Sequence, residues 1–389
     1  MNIVMFTPNY LPAMRYGGPV RSTHGLARGL VDLGHRVDVL TTDVDGPGRL
    51  DVALDRPSDM DGVSVHYCSI SAPRRFYYSP ALAKRAASLL PDADAIHVNG
   101  MFLWPGPHLA RAARRSGKTL VISPRGMLMP EMVAGKSRLA KSVWITGQER
   151  ANLAAATAIH VTSAGEAEGL SAMGLDLAPV AVIGNGVETP PRLPDAAEIN
   201  AVWGDVPQGQ RVAFLARLDW TKGVDMAIEA ARAQPGAVIR LAGHDQIGLQ
   251  AELTQRLIRS DGSLAGAFLG PLDGMQKWAF LAGADVLLVP SVRESFGMSV
   301  AEAMSMGTPV IATDGVGAAP LLAKLDAGLV VPREQGALNG ALARLLADEA
   351  RRNAIGRASR EMAMTELSWT GIATQMASLY QIAQSGGAV

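Results

Sequence analysis

Two glutamates flank a predicted loop and a short helix in the C-terminal half of the chain. The segment 293–314 reads RESFGMSVAEAMSMGTPVIATD, and seven residues separate Glu294 from Glu302. Gly307 predicts the end of the helix, so Glu294 lies in the loop before it and Glu302 in its first turns. A carboxylate accepts two hydroxyl hydrogen bonds at once. The pair could therefore bind a diol at either end of a ligand. Alternatively, Glu294 caps the helix and Glu302 is a solvated surface residue.

The start of this helix is a predicted anion site. The first N–H groups of a helix have no intrahelical acceptor, and the helix dipole favours negative charge there. Gly297 leaves room for a ligand to approach the backbone closely. A nucleotide sugar has a diol at each end and a diphosphate between them, so it has the form that this site fits. The residues predicted to supply the amides are Phe296, Gly297, Met298 and Ser299.

Two cations follow the first predicted strand of the second half, in the segment FLARLDWTKG. When a sugar leaves a diphosphate, negative charge develops on the leaving group, and fixed cations stabilise it. Arg217 and Lys222 are therefore candidate catalytic residues. The alternative is a solvated turn that carries two surface cations.

A glycine pair, Gly17 and Gly18, lies between the first predicted strand and its helix, in MRYGGPV. Pro19 suits the first helical position, so a tight turn explains the pair. Backbone N–H groups in the same turn could also bind a phosphate or an acceptor, and the two interpretations are compatible. The segment is not GxGxxG, so it does not support a dinucleotide cofactor.

Both halves of the chain alternate short β-branched runs with helical stretches. This alternation predicts parallel strands with crossover helices, and hence two doubly wound, Rossmann-like α/β domains that face each other across a cleft. A segment rich in proline and glycine, 184–210, reads as the connection between them. The predicted domains are residues 1–187 and 188–366, and a terminal helix at 367–389 packs back toward the first domain.

The motif around Glu294 resembles the signature of the retaining glycosyltransferases of family 4, also called glycosyl transferases group 1, which have the GT-B fold. The matching residues are Glu294, Ser295-Phe296-Gly297, Glu302-Ala303-Met304 and Gly307-Thr308-Pro309-Val310, and SPRGM, GNGVE, ARLDWTKG and AGHD extend the resemblance over the chain. It implies that Glu294 contacts the hexose, Glu302 holds the ribose, and Arg217 and Lys222 bind the diphosphate. The amides at 296–299 would then face the hexose and the diphosphate.

The chain departs from this family after the strand TLVIS. Many members have a histidine there, whereas this sequence has Ser123-Pro124-Arg125-Gly126. Arg125 is therefore a candidate substrate-binding residue at the sugar or the acceptor. His97 and His160, near the ends of neighbouring strands, are more typical of packed, hydrogen-bonded residues than of catalysts.

Composition excludes several classes of protein. The 36 lysines and arginines balance 36 aspartates and glutamates, which argues against a nucleic-acid binder. A single cysteine, no run of 18 apolar residues and no basic leader predict a cytoplasmic protein without disulfides or membrane spans.

Asp-x-Asp triplets at 43–45 and 92–94 could bind a divalent cation. Because Arg217 and Lys222 can neutralise a diphosphate, we expect no metal and no cofactor.

The acceptor is assigned to the first domain by elimination, and the family suggests a saccharide or lipid-linked saccharide from exopolysaccharide or lipopolysaccharide assembly. Basic stretches with aromatic residues, at 74–86, 111–115 and 136–144, are either solvated helix faces or a surface that contacts anionic membrane.

A UDP-sugar is the favoured donor, with GDP-mannose next. The alternatives are a sugar-nucleotide 2-epimerase of the same fold and a non-catalytic sugar-nucleotide-binding protein.

Overall fold

The computed structural model describes residues 1–134, 137–245, 247–324 and 326–385. Lys136, part of one predicted basic stretch, lies outside these ranges. The chain divides into two compact units. The first comprises Met1–Gly186 and Trp369–Val389, and the second comprises Val187–Ser368.

The first unit is built on a mostly parallel sheet. Its strands are β1 (Asn2–Phe6), β2 (Arg36–Thr42), β3 (Val44–Asp45), β4 (Gly48–Arg49), β5 (Ser58–Met60), β6 (Val63–Cys68), β7 (Ala95–Asn99), β8 (Thr119–Ser123), β9 (Ala158–Val161) and β10 (Val180–Val182). Eight of them form one sheet in the order β10-β9-β8-β7-β1-β2-β6-β5, while β3 and β4 pair separately. Within the large sheet only the edge strand β5 runs antiparallel to its neighbour.

Helices cover both faces of this sheet. They are α1 (Gly18–Asp32), α2 (Pro80–Leu89), α3 (Pro105–Arg115), α4 (Pro130–Ala134), α5 (Arg138–Trp144), α6 (Arg150–Ala154) and α7 (Ala164–Ser171), with 3-10 turns at Met14–Tyr16, Arg74–Phe76 and Leu90–Asp92 and a π-helical turn at Ile145–Glu149. Along β1, Ile3 and Met5 pack in one apolar cluster, and Val4 and Phe6 pack in another. Successive side chains of a strand point to opposite faces, so both faces of the sheet are buried.

The second unit is a fully parallel six-stranded sheet. Its strands are β11 (Arg211–Leu215), β12 (Val238–Ala242), β13 (Gly266–Gly270), β14 (Val286–Val289), β15 (Val310–Thr313) and β16 (Leu329–Val331), in the order β13-β12-β11-β14-β15-β16. Its helices are α8 (Ala196–Trp203), α9 (Val224–Arg232), α10 (Gln250–Arg256), α11 (Gly274–Ala282), α12 (Met298–Met306), α13 (Ala319–Lys324), α14 (Gln335–Ala347) and α15 (Glu349–Glu366), with a 3-10 turn at Trp220–Lys222. The predicted fold class of two doubly wound parallel sheets is confirmed.

A helix lies inside the segment that we interpreted as a connection, so that interpretation of 184–210 is wrong in part. Asp195 and Glu198 form a capping box, in which each side chain accepts from the other residue's amide over 2.9 Å. This satisfies two amides that a helix start leaves without partners and begins α8. At the other end of α8, Trp203 is fully buried in the second unit.

The terminal helix, Trp369–Ser385, lies in the first unit and packs on α1. Gly25 makes this contact possible, because a Cβ atom there would lie 2.1 Å from the Cε2 atom of Trp369. A larger residue at 25 would displace the tryptophan ring.

Candidate functional site

Lys222 and Glu294 form an ion pair at the carboxyl ends of two central strands in the sheet of the second unit. Lys222 ends the turn that follows β11, and Glu294 lies in the loop after the neighbouring strand β14. Lys222 Nζ is 2.8 Å from Glu294 Oε1, with side chains 16% and 18% exposed. Ser291 Oγ donates to the same oxygen over 3.2 Å, and the Val292 amide donates to the Thr221 carbonyl over 2.8 Å. The structure thus brings two predicted catalytic residues into contact at the carboxyl ends of adjacent strands.

Arg217 belongs to the same loop as Lys222. It lies two residues beyond β11, which ends at Leu215, and it is exposed. The neighbouring loop after β12 approaches this one closely: a Cβ atom at Gly243, whose φ is +150°, would lie 1.8 Å from the Ala216 carbonyl oxygen. Glycine at 243 is therefore required to keep the backbone before Arg217 in place.

The N-terminus of α12 follows the Glu294 loop directly. Gly297 precedes the helix with a left-handed φ of +99°, and among the described residues no side chain caps this end. The amides of Met298 and Ser299 lie in the first turn, where a helix offers no acceptor. The Phe296 side chain is buried, and its carbonyl accepts from the Ala318 amide over 2.7 Å. The Phe296 contacts thus hold the first turn of α12 in place, and its free amides are donors for an anion.

Glu302 is buried in an ion pair that the sequence did not reveal. It lies on α12 and is 8% exposed, which excludes the interpretation as a solvated surface residue. Lys277 Nζ, from α11, is 2.7 Å from Glu302 Oε1, and Lys277 is 4% exposed. The Lys277 ammonium also lies 4.0 Å from the centroid of the Trp278 ring. Lys277 has no motif around it that could have singled it out.

In the first unit, Gly17 and Gly18 form the turn into α1, as the sequence predicted. Gly17 has a left-handed φ of +67° at the cap position, Gly18 is the first helical residue, and Pro19 lies in the first turn. A Cβ atom at Gly17 would meet no atom within 4 Å, so the backbone conformation, rather than crowding, favours glycine. The open space leaves this helix start accessible to a ligand.

Arg125 follows β8 with a left-handed φ of +54°, which is uncommon for a residue with a side chain. Its Nε donates to Asn99 Oδ1 over 2.9 Å, and its Nη1 donates to Asn185 Oδ1 over 3.1 Å. Its Nη2 has no hydrogen-bond acceptor within the described ranges. Burial lowers the pKa of the guanidinium, while the charge of Glu166 raises it. Backbone strain and an incompletely satisfied cation are features that cluster at functional sites.

The two histidines near Arg125 belong to a continuous hydrogen-bond chain. Tyr380 Oη is 2.8 Å from His97 Nδ1, His97 Nε2 is 2.7 Å from Ser123 Oγ, and Ser123 Oγ is 2.7 Å from His160 Nδ1. His160 Nε2 donates to the Ile183 carbonyl over 2.9 Å, so each neutral ring donates at Nε2 and accepts at Nδ1. Burial lowers the pKa of His97 and brings that of His160 to about 3. These contacts identify them as packed residues that tie the terminal helix to the sheet.

The carboxylates of the first Asp-x-Asp triplet contact arginines. Asp43 Oδ2 is 2.5 Å from Arg49 Nη1, and Asp45 Oδ1 is 3.0 Å from Arg15 Nε. In the second triplet, Asp94 accepts from the Asn2 amide over 2.7 Å. Across the residues that the structure describes, no group of three or more metal-ligating side chains is close enough to hold an ion.

Two family models match consecutive parts of the chain. The model described as "Glycosyl transferase 4-like domain" matches residues 17–186, and the model described as "Glycosyl transferases group 1" matches residues 195–362. The chain belongs to the group 1 glycosyltransferases. The predicted family is therefore confirmed.

Solved structures share the fold of the chain, and a curated relative matches part of it. This glycosyltransferase is similar to the sucrose-phosphate synthase of Thermosynechococcus elongatus, with a TM-score of 0.79 and 22% identity over 99% of this chain and 100% of that one. It is also similar to Anabaena HepE in complex with UDP and glucose, with a TM-score of 0.76 and 20% identity over 98% and 99%. Both likenesses show the GT-B fold. The glycogen synthase of Mycobacterium tuberculosis H37Rv is 30% identical over 55% of this glycosyltransferase, a match that spans about half of that protein, 51%.

Proposed function

We propose that this glycosyltransferase transfers a hexose from a nucleotide diphosphate sugar to a saccharide or lipid-linked saccharide, and that the product retains the anomeric configuration. The observation that carries the proposal is the position of three features of the second unit. The Lys222–Glu294 ion pair, Arg217 and the uncapped start of α12 all follow the carboxyl ends of β11 and β14. Ligands of open parallel sheets bind at such ends.

Each residue group has one task in this proposal. Arg217, Lys222 and the amides of Met298 and Ser299 bind the diphosphate and stabilise the charge that grows on it. Glu294 accepts hydrogen bonds from the hexose hydroxyls, and Glu302 accepts them from the ribose. As the resemblance to the family implies, the acceptor attacks the face from which the diphosphate leaves. The leaving phosphate takes the acceptor proton.

A UDP-sugar is the favoured donor, because the similar HepE structures include complexes with UDP and with UDP-glucose. A thermal-shift screen with UDP-glucose, UDP-galactose, GDP-mannose and ADP-glucose tests this choice. We expect UDP-sugars to raise the melting temperature most, since a ligand that binds only the folded state stabilises it. Stabilisation by no nucleotide sugar would contradict the proposed function. Proton NMR of the transfer product then tests retention through the coupling of the anomeric proton.

Transfer does not require a divalent cation in this proposal. Arg217 and Lys222 supply the positive charge that a metal would give to a diphosphate, and arginines occupy the Asp43 and Asp45 carboxylates. We expect the rate of transfer to be unchanged, within about twofold, after dialysis against EDTA. Loss of the activity in EDTA and its return with Mn²⁺, but not with NaCl, would refute this part of the proposal.

The acceptor binds to the first unit in this proposal, at Gly17, Gly18 and Arg125. The supporting observations are the open start of α1 and the Arg125 guanidinium, which two asparagine side chains hold in place. We further propose that the reaction takes place in the cytoplasm at the inner face of the cell membrane, in exopolysaccharide or lipopolysaccharide assembly. Within the described ranges, every helix is too short or too polar to cross a bilayer.

The first unit contacts anionic membrane through α5 in this proposal. This helix carries Arg138 and Lys141 and exposes Leu139 and Val143, which are 82% and 73% exposed. Large apolar side chains beside cations suit the interface of an anionic bilayer. The adjacent Trp144 ring stacks on Phe76 with centroids 5.5 Å apart, which fixes the end of the helix.

We therefore expect the protein to sediment with phosphatidylglycerol vesicles and the double variant Leu139→Glu/Val143→Glu to bind them about tenfold more weakly. The reason is the loss of two apolar contacts and the addition of two like charges. Leu264→Glu, at a leucine of the second unit that is 61% exposed, is the control and should bind normally. Equal sedimentation of the double variant and the control would show that α5 is not the contact surface.

A further inference from the structure

Lys277, which forms a buried ion pair with Glu302, has no task yet in the proposed reaction. The two side chains come from different helices, α11 and α12, and meet with Nζ and Oε1 2.7 Å apart. Both residues are more than nine-tenths buried. The exposed Lys324–Glu366 pair of the same unit, at 3.1 Å, differs because both of its side chains lie in solvent.

Stability alone is a weak reason for such a pair. Removing two charges from water costs several kcal/mol per ion, and apolar residues of similar volume often replace a buried pair without loss. The Lys277 ammonium has a second partner, the Trp278 ring at 4.0 Å from its centroid, which compensates part of its desolvation. The surroundings of Lys277 are therefore arranged to keep a cation against the Glu302 carboxylate.

The ion pair with Lys277 restricts the orientation of the Glu302 carboxylate. A carboxylate offers about four lone-pair positions, so it can accept from an ammonium and from ligand hydroxyls at the same time. An ammonium bound to Oε1 limits rotation of the carboxylate plane and fixes the directions in which hydroxyl groups can donate to it. Charge-assisted hydrogen bonds of this kind are about twice as strong as neutral ones, and they depend on alignment.

We propose that Lys277 is a positioning residue that holds the Glu302 carboxylate for the ribose diol, and that this pair makes the donor site prefer ribonucleotides to 2′-deoxyribonucleotides. The inference rests on the proposed function, because it assumes that Glu302 binds the ribose. It adds a residue and a selectivity that neither the motif nor the fold assigns. Lys277 itself touches Glu302, and it acts on the nucleotide through that carboxylate.

Calorimetry with UDP and GDP, each compared with its 2′-deoxy form, tests the proposal. Loss of one hydroxyl that donates to a charged acceptor should weaken binding to the wild-type protein about 10-fold or more. Lys277→Met should weaken the ribonucleotide about 10-fold and the deoxy form, which keeps its 3′-hydroxyl, only about twofold, so the preference falls to about twofold. Glu302→Gln should reduce the preference in the same way. Lys324→Met, which removes the exposed cation, should retain the wild-type preference.

The ratio of the two affinities separates positioning from a general structural role. If Lys277→Met weakens both nucleotides equally and the preference persists, the proposal is overturned. Lys277→Gln, which loses the charge but keeps a donor, is the second variant in case Lys277→Met does not fold, and the same criterion applies to it. If the wild-type protein binds the nucleotides without a ribose preference, the assignment of Glu302 and Lys277 is wrong but the transferase proposal stands. If it binds neither diphosphate, the proposed function itself fails.

Discussion

We expect Lys222→Ala to lower kcat by about 10²–10³ at saturating donor, the scale of removing one preorganised electrostatic donor. Charge on the diphosphate grows as the glycosidic bond breaks, so Lys222 contributes more in the transition state than in the ground state. The 2.8 Å contact with Glu294 adds to the effect, because the variant leaves that carboxylate without its cation. Nucleotide affinity should fall by less, since the start of α12 still binds the diphosphate. Initial rates of nucleoside diphosphate release measure the effect.

Two further variants sharpen this test. Lys222→Arg should not restore the rate, because a planar guanidinium does not replace a compact ammonium in a tight cluster of oxygens. Lys324→Ala removes a lysine from an exposed ion pair of the same unit and should have near-normal activity. Turnover of Lys222→Ala close to that of this control would refute the proposed mechanism.

We expect Trp203→Ala to destabilise the second unit by about 3–5 kcal/mol, the range for truncation of a buried large aromatic side chain. Trp203 is fully buried and stacks on Phe280 with centroids 5.5 Å apart and planes 3° apart. Its Nε1 donates to the Phe280 carbonyl over 3.0 Å, and the guanidiniums of Arg211 and Arg240 lie 5.9 and 5.8 Å from its ring. Urea unfolding, followed by circular dichroism, measures the loss.

Trp203→Phe is the matched variant for this site. It keeps an aromatic ring beside Phe280 and loses the donor to the carbonyl, so it should cost clearly less than the alanine variant. If Trp203→Ala lowered the free energy of unfolding by less than about 1 kcal/mol, the claim that α8 is an integral part of the second unit would be wrong.

The periodicity of the sequence predicted most of the two sheets, because strands buried on both faces read as short β-branched runs. β6 did not follow this pattern. Its segment VSVHYC contains His66, which is buried and lies 2.8 Å from Asp38 Oδ1 through Nε2. Ser64 and His66 are polar at alternate positions and so break the apolar run, and no local rule reveals the partner of His66. The antiparallel edge strand β5, Ser58–Met60, was missed with it.

The α8 helix was missed for a different reason. Four prolines and four glycines between 184 and 210 indicated a linker. The capping box of Asp195 and Glu198 was visible in the sequence and marks a helix start. The burial of Trp203 depends on Phe280, which is far away in the sequence. The local sequence thus indicates where α8 begins, but only the tertiary contact shows that the helix belongs to the second unit.

The candidate site was predictable where a motif marks it and not where distant residues meet. The spacing of Glu294, Gly297 and Glu302 predicted a loop followed by a helix start, which the structure has. The contact of Lys222 with Glu294 and the partner of Glu302 depend on strand order and helix packing, which the spacing within one segment does not specify. Lys277 lies in an ordinary helix, so only its burial against Glu302 identifies it.

A crystal structure of the protein with UDP tests the central claim, the location of the donor site, most directly. We predict that the β-phosphate lies within hydrogen-bonding distance of Lys222 Nζ and of the Met298 and Ser299 amides, and that the ribose hydroxyls donate to Glu302. Nucleotide bound in the first unit, at Gly17 or Arg125, with no phosphate at the start of α12, would contradict the account.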